Sequence, residues 1–346
     1  MTMKNLRWGI VGCGDVCEVK SGPALQKARG SELVAVCRRQ ADKAEDFAKR
    51  HGVPRWSGNV QEIINDPEVD IVYVATPPGS HLEIAKQVAA AGKPCYVEKP
   101  MARTFAECDA MNRAFAEAGQ KLFVAYYRRR LPRFVAIKEW LDEGKLGQIT
   151  SVDLMYTSNQ MRELEPGELP WRFDPVVSGG GLFFDLGSHA LDALDMLLGP
   201  VTEVTGRADR VAADSGVEDR VVAQFMHESG VAGTALWDFA SGGALADYIM
   251  IRGSKGSVRC SVFTHTDVEL NIDGQETTHS FPDPPHVHQP LVQTVVDDLA
   301  GTGQCQSTGD SAARTSAVMD TLTQAFYGDR TEGFWDRKES WGQQQT

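Results

Sequence analysis

The clearest chemical signal in this sequence is a histidine with two carboxylates at helical spacing. Asp185 and His189 are four residues apart, Asp192 follows three residues later, and Gly179–Gly181 precedes them. If Asp185 already lies in the helix, this spacing places all three side chains on one helix face. A lone histidine on a helix is more often structural, but an imidazole flanked by carboxylates can exchange a proton near neutral pH. We therefore expect His189 to act as acid or base, with Asp185 orienting it or holding a substrate hydroxyl.

A second reactive group follows the apolar run that ends in Glu98-Lys99-Pro100. A charged pair at the end of a buried strand costs free energy unless it has partners, and a structural ion pair is the simpler interpretation. The Lys99 ammonium could instead stabilise a developing alkoxide and polarise a carbonyl, or itself carry the proton. We expect Lys99, Asp185 and His189 to act together, which requires elements from two parts of the chain.

The elements before residue 125 alternate between strands and helices. The strands lack period-2 alternation, which is typical of parallel strands buried on both faces, and the order predicts a doubly wound sheet. The predicted strands are Leu6–Val11, Glu32–Cys37, Ile71–Ala75, Pro94–Glu98 and Lys121–Ala125, and helices include Ala41–His51, His81–Ala91 and Phe105–Ala118.

The first strand is followed by Gly12-Cys13-Gly14-Asp15-Val16-Cys17, a G-x-G-x-x-G pattern with cysteine in the third glycine position. The first glycine allows a tight strand-to-helix turn, and the second lets the backbone approach a pyrophosphate. Glycines are common in such turns, but this one begins a series of strand–helix repeats. It therefore predicts a dinucleotide site.

The end of the second strand indicates which dinucleotide binds. NAD sites commonly place a carboxylate there, on the ribose hydroxyls. This strand instead ends in Cys37-Arg38-Arg39, with no carboxylate before Asp42. Guanidinium groups can pair with a 2′-phosphate, so we favour NADP(H), although the arginines could simply be solvated at a helix start.

The second part of the chain predicts an α+β domain with a large open, mostly antiparallel sheet covered on one face by helices. Helices are expected at Pro132–Glu143, from the glycine run to Leu198, at Gln289–Ala300 and at Ser311–Tyr327, with strands at Ile149–Tyr156, Val201–Val211, Asp219–His227, Val231–Phe239, Asp247–Arg252, Ser257–Phe263 and Val268–Ile272. We expect two domains, 1–125 for dinucleotide binding and 126–346 for substrate binding and oligomerisation.

Composition excludes several functional classes. The chain has 346 residues, with 35 Lys and Arg against 47 Asp and Glu, a net charge of −12. This acidic balance argues against general binding to nucleic acid or anionic membranes. Seven cysteines, an odd number without a CxxC pair, fit reduced thiols, and no apolar run approaches the ~20 residues of a membrane span. We expect a cytoplasmic protein with a small-molecule substrate.

Together, Gly12-Cys13-Gly14, Ala75-Thr76-Pro77-Pro78, Glu98-Lys99-Pro100, Trp171-Arg172 and Gly179 through His189 resemble the Gfo/Idh/MocA family of NAD(P)-dependent oxidoreductases. The similarity covers nearly the whole chain. It implies a Rossmann domain, a second domain whose sheet mediates assembly into a homodimer or homotetramer, and oxidation or reduction of a carbinol or carbonyl carbon on sugars, inositols or related polyols.

The resemblance also implies residue roles. Lys99 would face the nicotinamide and substrate oxygen, Asp185 and His189 would be the carboxylate and imidazole of the second domain, and Trp171-Arg172 would reach the cofactor. Two departures are Cys17, usually Ala or Gly, and Tyr126-Tyr127-Arg128, where many members carry Asn-x-Arg. The expected cofactor contacts are Gly12, Gly14, Asp15, Val16, Arg38, Arg39, Thr76, Pro77, His81, Glu98, Lys99, Trp171 and Arg172. The expected substrate contacts are Lys99, Tyr127, Asp185, His189 and His288.

Other candidates are weaker. His286-Val287-His288 has the spacing of a metal pair but no clear third ligand, so we expect no metal site; His288 could line the substrate pocket or lie in a surface loop. Arg128-Arg129-Arg130 could bind an anionic substrate group, but a solvated helix start is the favoured interpretation.

Three other functions remain open on this scaffold: a trans-dihydrodiol-type dehydrogenase, an NAD-dependent glycosidase, and a non-catalytic dinucleotide-sensing regulator. The glycosidases differ in their second-domain motifs, and intact Lys99, Asp185 and His189 argue against a regulator. Fold alone does not identify the substrate.

Overall fold

The computed structural model describes residues 5–163, 170–212, 216–243, 245–331 and 334–336. In chain order, the first elements are β1 (Leu6–Val11), α1 (Asp15–Val19), α2 (Gly22–Lys27), β2 (Ser31–Cys37), α3 (Ala41–His51), β3 (Arg55–Ser57), α4 (Val60–Ile64), β4 (Ile71–Val74), α5 (His81–Ala90), β5 (Cys95–Val97), α6 (Phe105–Glu117) and β6 (Leu122–Val124). The later elements are α7 (Pro132–Asp142), β7 (Ile149–Thr157), α8 (Pro175–Ser178), α9 (Ser188–Leu198), β8 (Val201–Asp209), β9 (Arg220–His227), β10 (Ala232–Asp238), β11 (Ala246–Gly253), β12 (Gly256–Cys260), β13 (Asp267–Ile272), β14 (Gln275–Ser280), α10 (Gln289–Leu299) and α11 (Gly309–Tyr327).

The first six strands form one parallel sheet in the order β3-β2-β1-β4-β5-β6. Its inner strands are mainly apolar because both faces are buried, and every residue of β4 is buried. This arrangement confirms the predicted doubly wound sheet. The three-residue strand β3, which extends one edge, was not predicted from the sequence because it is too short for a periodic signal.

The chain divides into two compact units. The first contains residues 1–102, 107–131 and 284–313, and the second contains residues 103–106, 132–283 and 314–346. The sequence placed a single boundary after residue 125, so the structure differs in assigning 284–313 to the first unit.

Specific contacts explain why this late segment belongs to the first unit. The backbone N–H of Arg29 donates to Oε1 of Gln293 at 2.7 Å, and Nζ of Lys27 lies 2.7 Å from Nε2 of His286. The N–H of Val124 donates to the carbonyl oxygen of Ser307 at 2.9 Å, so the segment also covers the free edge of β6.

The second unit contains an eight-stranded sheet in the order β14-β13-β12-β11-β7-β10-β9-β8. Neighbouring strands are antiparallel except β10 and β7, which are parallel, and this confirms the predicted mostly antiparallel sheet. Burial alternates along β7 and β9, as expected for a sheet with one covered face. The strand β14 was not predicted because it is exposed and polar at nearly every position.

Every residue of α9 is buried, so this helix lies inside the second unit. Among the described residues, we find no helix long and apolar enough to cross a lipid bilayer.

Candidate functional site

The turn after β1 has the geometry that its glycines predict. Gly12 has φ of +94°, a conformation that side chains rarely adopt, and its N–H donates to the carbonyl oxygen of Cys37 at 2.8 Å. A Cβ atom on Gly12 would lie 2.7 Å from Cγ2 of Thr76 and 2.9 Å from the backbone of Ala75. Gly12 is therefore required by the fold, because the end of β4 approaches it closely.

Gly14 has a different reason to be glycine. Its φ of −104° is open to any residue, and among the described residues beyond its chain neighbours, the nearest atom to a Cβ there would be the Gly12 carbonyl oxygen at 3.9 Å. The fold itself therefore leaves space beside this backbone. A dinucleotide pyrophosphate needs close backbone approach at this position, so the residues present fit such a cofactor.

Cys17 occupies the position of the third glycine. Its side chain is fully buried, and burial raises the pKa of its thiol. The thiol lies 3.9 Å from the carbonyl oxygen of Gly12, so it packs beneath the turn as a small apolar side chain.

The two arginines after β2 differ in exposure: Arg38 is half-buried and Arg39 is exposed. Burial raises the pKa of the Cys13 thiol to about 11, and the positive charge of Arg38 opposes that rise, so Arg38 lies near the glycine turn. Within the described ranges, no carboxylate forms an ion pair with either guanidinium.

The loop after β4 is held by His81. This imidazole is fully buried, with Nε2 2.6 Å from the carbonyl oxygen of Thr76 and Nδ1 3.1 Å from that of Met101. Burial lowers the pKa of His81. The ring thus joins the loop after β4 to the loop after β5, and both of its nitrogens face backbone carbonyls.

Glu98 ends β5 in a buried setting. It is 7% exposed, and burial raises the pKa of its carboxyl group against the opposing effect of a hydrogen bond from the Tyr73 hydroxyl. The Lys99 backbone N–H donates to Oε2 of Glu98 at 3.1 Å. Because these bonds hold the backbone at the carboxyl end of β5, they fix the position from which the half-buried Lys99 side chain extends.

His288 approaches Glu98 from the late segment of the first unit. Its Nε2 lies 3.9 Å from Oε1 of Glu98, and its ring lies 4.6 Å from the ring of Tyr127. Burial, assisted by the positive charges of Lys20, Lys99 and Arg128, lowers the pKa of His288 to about 3. The ring is 1% exposed, so it does not lie in a surface loop.

The segment Tyr127–Arg130 forms a 3₁₀ turn rather than a solvated helix start. Arg128 and Arg129 are 7% and 5% exposed, so the favoured interpretation of these arginines as solvated is wrong for both. Arg128 donates from Nη1 to the Tyr127 hydroxyl at 3.0 Å, and its guanidinium lies 5.0 Å from the centre of that ring. Arg129 also has a protein acceptor, because its Nη1 lies 3.5 Å from the carbonyl oxygen of Gln306.

In the second unit, Asp185 pairs with Arg172. Nε of Arg172 lies 3.3 Å from Oδ2 of Asp185, and the same guanidinium lies 4.7 Å from the centre of the Trp171 ring. Trp171 is 42% exposed and Arg172 is also exposed. The expected cofactor pair and the expected catalytic carboxylate therefore form one connected group.

Asp185 lies in a π-helical turn, Phe183–Gly187, that leads directly into α9. The sequence spacing predicted a helix here but not the wider turn, and such turns often occur at functional sites. His189 is 3% exposed with its ring 6.2 Å from that of Phe263, and Asp192 is fully buried one turn later.

Sequence reasoning missed Glu218. Its carboxylate is fully buried and accepts the Gly181 N–H at 2.9 and 3.0 Å, together with a hydrogen bond from the Tyr327 hydroxyl. Burial raises the pKa of Glu218 to about 7, against the opposing effect of these donors. Adjacent acidic residues at the start of a predicted strand were the only available signal, since burial and the Gly181 contact are long-range.

Two groups of candidate residues thus lie together, each within its own unit. The first unit brings Gly12, Gly14, Arg38, Thr76, His81, Glu98, Lys99, Tyr127 and His288 to the carboxyl end of the parallel sheet or to the residues packed beneath it. The second unit brings Trp171, Arg172 and Asp185 together, with His189 in the helix that follows.

Comparison with known proteins identifies both parts of the chain. Residues 6–126 match the oxidoreductase family with an NAD-binding Rossmann fold, GFO_IDH_MocA, and residues 134–259 match the GFO/IDH/MocA C-terminal domain. The chain is 34% identical to oxidoreductase P35 of Formosa agariphila over 320 residues, which covers 92% of this chain and 98% of that protein.

Two further proteins show the breadth of the match. 1,5-Anhydro-D-fructose reductase of Ensifer adhaerens is 26% identical over 317 residues, covering 90% of this chain and 93% of that protein. The crystal structure of aldose-aldose oxidoreductase from Caulobacter crescentus, complexed with glycerol, superposes with a TM-score of 0.80 at 25% identity, covering 92% of this chain and 96% of the other. With a Rossmann turn built to receive a dinucleotide and both domain families matched, this chain belongs to the GFO/IDH/MocA family of oxidoreductases.

Proposed function

We propose that this oxidoreductase transfers hydride between a nicotinamide dinucleotide, NADP(H) in preference to NAD(H), and a CH–OH or C=O carbon of a sugar, inositol or related polyol. The observation that carries the proposal is the common position of the Gly12–Gly14 turn, the Thr76 loop and Lys99 at the carboxyl end of one parallel sheet. Ligands of open α/β sheets bind at that end. The similarity to a sugar reductase and to an aldose oxidoreductase supports a polyol substrate.

The preference for NADP(H) rests on Arg38 and Arg39. A cation before a helix is not stabilised by the helix dipole, so the start of α3 gives these arginines no structural purpose. Half-buried Arg38, whose charge acts on the glycine turn, is suited to pair with a 2′-phosphate. The second strand ends without the carboxylate that an NAD site would use.

When bound, the nicotinamide supplies the carbon that accepts or donates hydride. Lys99, whose backbone is held by Glu98, supplies positive charge that stabilises an alkoxide. His189 takes the hydroxyl proton in oxidation and returns it in reduction. Asp185, held by Arg172, binds a substrate hydroxyl or orients the imidazole.

The remaining residues support these groups. Thr76, Pro77 and the backbone of Asp15 and Val16 border the cofactor site, whereas His81 holds the loop between Thr76 and Met101. Tyr127 contributes to the substrate site, and His288 packs beneath it and beside Glu98.

Fluorescence titration with NADPH and NADH tests the cofactor preference. Arg38→Ala should weaken NADPH binding about tenfold or more and leave NADH binding nearly unchanged, because only the former carries the 2′-phosphate. Arg113→Ala, which removes an exposed arginine paired with Asp109 of the same helix, is the control and should bind both as the wild type does. Equal loss for both cofactors, or tighter binding of NADH by the wild type, would contradict the preference.

A substrate screen tests the reaction. Hydride transfer with keto-sugars, aldoses and inositols is expected. Turnover confined to trans-dihydrodiols would show that these compounds, rather than sugars or polyols, are the substrates. Transient reduction of NAD+ and its re-oxidation during glycoside cleavage would indicate the glycosidase. Failure to bind either dinucleotide would overturn the proposed enzyme.

We further propose that the protein forms a homodimer or homotetramer through the eight-stranded sheet. The outward-facing positions of β9 include Val222, which is 38% exposed. Light scattering coupled to size exclusion should give an assembly of two or four chains, and a lone chain at micromolar concentration would contradict this.

A further inference from the structure

Two charged side chains hold the glycine segment that precedes Asp185. The Glu218 carboxylate accepts the Gly181 N–H through both oxygens, at 2.9 and 3.0 Å. The Arg330 guanidinium donates to the carbonyl oxygen of Gly179. Because Glu218 is fully buried and Arg330 is 7% exposed, both ends of the three-glycine segment are bound in the interior of the second unit.

The glycine segment packs closely against the residues that precede β9. A Cβ atom on Gly181 would lie 2.6 Å from the carbonyl oxygen of Glu218 and 3.0 Å from Cγ2 of Val217. The segment therefore lies directly against the backbone that enters β9. Two residues later the chain begins the π-helical turn Phe183–Gly187, so the position of Gly181 sets the position of Asp185.

We propose that Glu218 is a positioning residue: its carboxylate holds Gly181 and the turn that carries Asp185, and protonation of Glu218 releases that turn. This inference rests on the proposed function for the role of Asp185. Glu218 itself touches no reacting atom, and it acts through the backbone of the glycine segment.

The groups around Glu218 explain why its protonation matters. The Gly181 N–H and the Tyr327 O–H of α11 both donate to it, and the Arg330 charge lies nearby. Asp320, also on α11, is paired with Arg330 and accepts the backbone N–H of Phe105. This set of donors favours the carboxylate, whereas a protonated acid would bring a further O–H donor among them.

Burial opposes the donors and raises the pKa of Glu218 to about 7, so Glu218 gains or loses its proton in the neutral pH range. The neighbouring Asp219 carboxylate binds a different backbone segment: it accepts hydrogen bonds from the N–H groups of Val211 and Ala212, at 2.7 Å each. Asp219 therefore provides a matched control that does not touch the glycine segment.

Hydrogen exchange measured by mass spectrometry on the full chain tests the attachment without any activity. At pH 8, Glu218→Gln should exchange the amides of residues 179–187 about tenfold or more faster than the wild type, because glutamine replaces one of the two acceptor oxygens with an NH2 donor that faces the Gly181 N–H and the Tyr327 O–H. Asp219→Asn should leave this peptide unchanged. In the wild type, protection of the peptide should fall as the pH drops through about 7, after correction for intrinsic exchange.

The pH profile tests the consequence for catalysis. The kcat of Glu218→Gln should be about tenfold lower even at pH 8, and its acidic limb should keep only the contribution of His189 protonation, while its dinucleotide Kd stays unchanged. Tyr327→Phe removes a donor that lowers the pKa of Glu218, so this variant should move the acidic limb to higher pH. Asp219→Asn should keep the wild-type limb.

Unchanged exchange of residues 179–187 in Glu218→Gln would overturn the inference, even if the enzyme turns over polyols. If Glu218→Gln does not fold, hydrogen exchange of the wild type and of Tyr327→Phe decides: pH-independent protection of residues 179–187, or a midpoint that Tyr327→Phe does not move, overturns it. Absence of turnover with every polyol would instead contradict the proposed function, and the exchange measurements would still decide the role of Glu218.

Discussion

Nε of Arg172 lies 3.3 Å from Oδ2 of Asp185, and the Arg172 guanidinium also covers the Trp171 ring at 4.7 Å. The sequence assigned the tryptophan and arginine to the cofactor and the aspartate to catalysis. Their contact means that a change at Arg172 acts on Asp185 even if the cofactor is bound normally.

Arg172→Gln should reduce kcat about tenfold while the free energy of unfolding changes by less than ~0.5 kcal/mol, because exposed ion pairs contribute little to stability. Thermal unfolding and steady-state kinetics measure the two effects. Arg207→Gln removes a comparably exposed pair with Asp209 on β8 and should change neither quantity. A kcat equal to that of the wild type would show that Arg172 does not position Asp185.

The two glycines of the first turn should respond differently to alanine. Gly14→Ala should fold with wild-type stability but bind dinucleotide about tenfold or more weakly, because its Cβ meets only the cofactor space. Gly12→Ala should lose ~1–3 kcal/mol of stability, because its positive φ and the contact with Thr76 penalise a side chain. Urea unfolding and cofactor titration separate the effects, and equal binding by Gly14→Ala and wild type would refute the proposed cradle.

Tyr73→Phe removes the hydroxyl that donates to buried Glu98. Burial already raises the pKa of Glu98 above that of an unfolded glutamate. As the pH rises from the unfolded pKa through the native pKa, ionisation of Glu98 therefore destabilises the folded state. Losing the donor increases this destabilisation. Urea unfolding should therefore show a loss of ~1–3 kcal/mol at pH 8 and a smaller loss at pH 5.

Tyr96→Phe is the control for this experiment. The Tyr96 hydroxyl is buried without a hydrogen-bond partner among the described residues, so its removal should be neutral or stabilising at both pH values. An equal loss for Tyr73→Phe at pH 5 and pH 8 would mean that packing, rather than the carboxylate, explains the effect.

His288 should make the protein sensitive to acid. Burial lowers the pKa of His288 to about 3, so between the unfolded pKa of ~6.5 and that value only the unfolded chain takes up the proton. Stability is therefore lost as the pH falls below ~6.5, by at most ~1.4 kcal/mol per pH unit.

His288→Phe keeps an aromatic ring against Tyr127 and should flatten this slope between pH 6.5 and pH 5 in urea unfolding. The partly exposed His279, packed on Trp140, provides the control His279→Phe, which should retain the slope. A wild-type slope in His288→Phe would assign the acid sensitivity to other groups.

Local sequence patterns predicted much of the fold. The strand β1 and the helix α3 begin and end where the sequence predicted, because an apolar run and an amphipathic helix each produce a local signal. The glycine turn was also predictable, because its glycine pattern follows β1 directly in the sequence, although the contacts that exclude a side chain at Gly12 come from Ala75 and Thr76.

The remaining features depend on contacts distant in sequence. The burial of Arg128 and the contact of Glu218 with Gly181 depend on residues far along the chain, and neither leaves a periodic pattern. The π-helical turn at Asp185 likewise could not be distinguished from an ordinary helix start by spacing alone. Polar interactions inside the fold were therefore the least predictable part of the candidate site.

The return of residues 284–313 to the first unit has a consequence for synthesis. During translation, the edge strand β6 emerges long before Ser307, which later donates to and accepts from the Val124 backbone. Until then, the nascent nucleotide-binding unit has an open strand edge, which is a template for association with other chains. This unit can therefore reach its final structure only after residues 284–313 have left the ribosome, and a fragment ending at residue 131 should aggregate rather than fold.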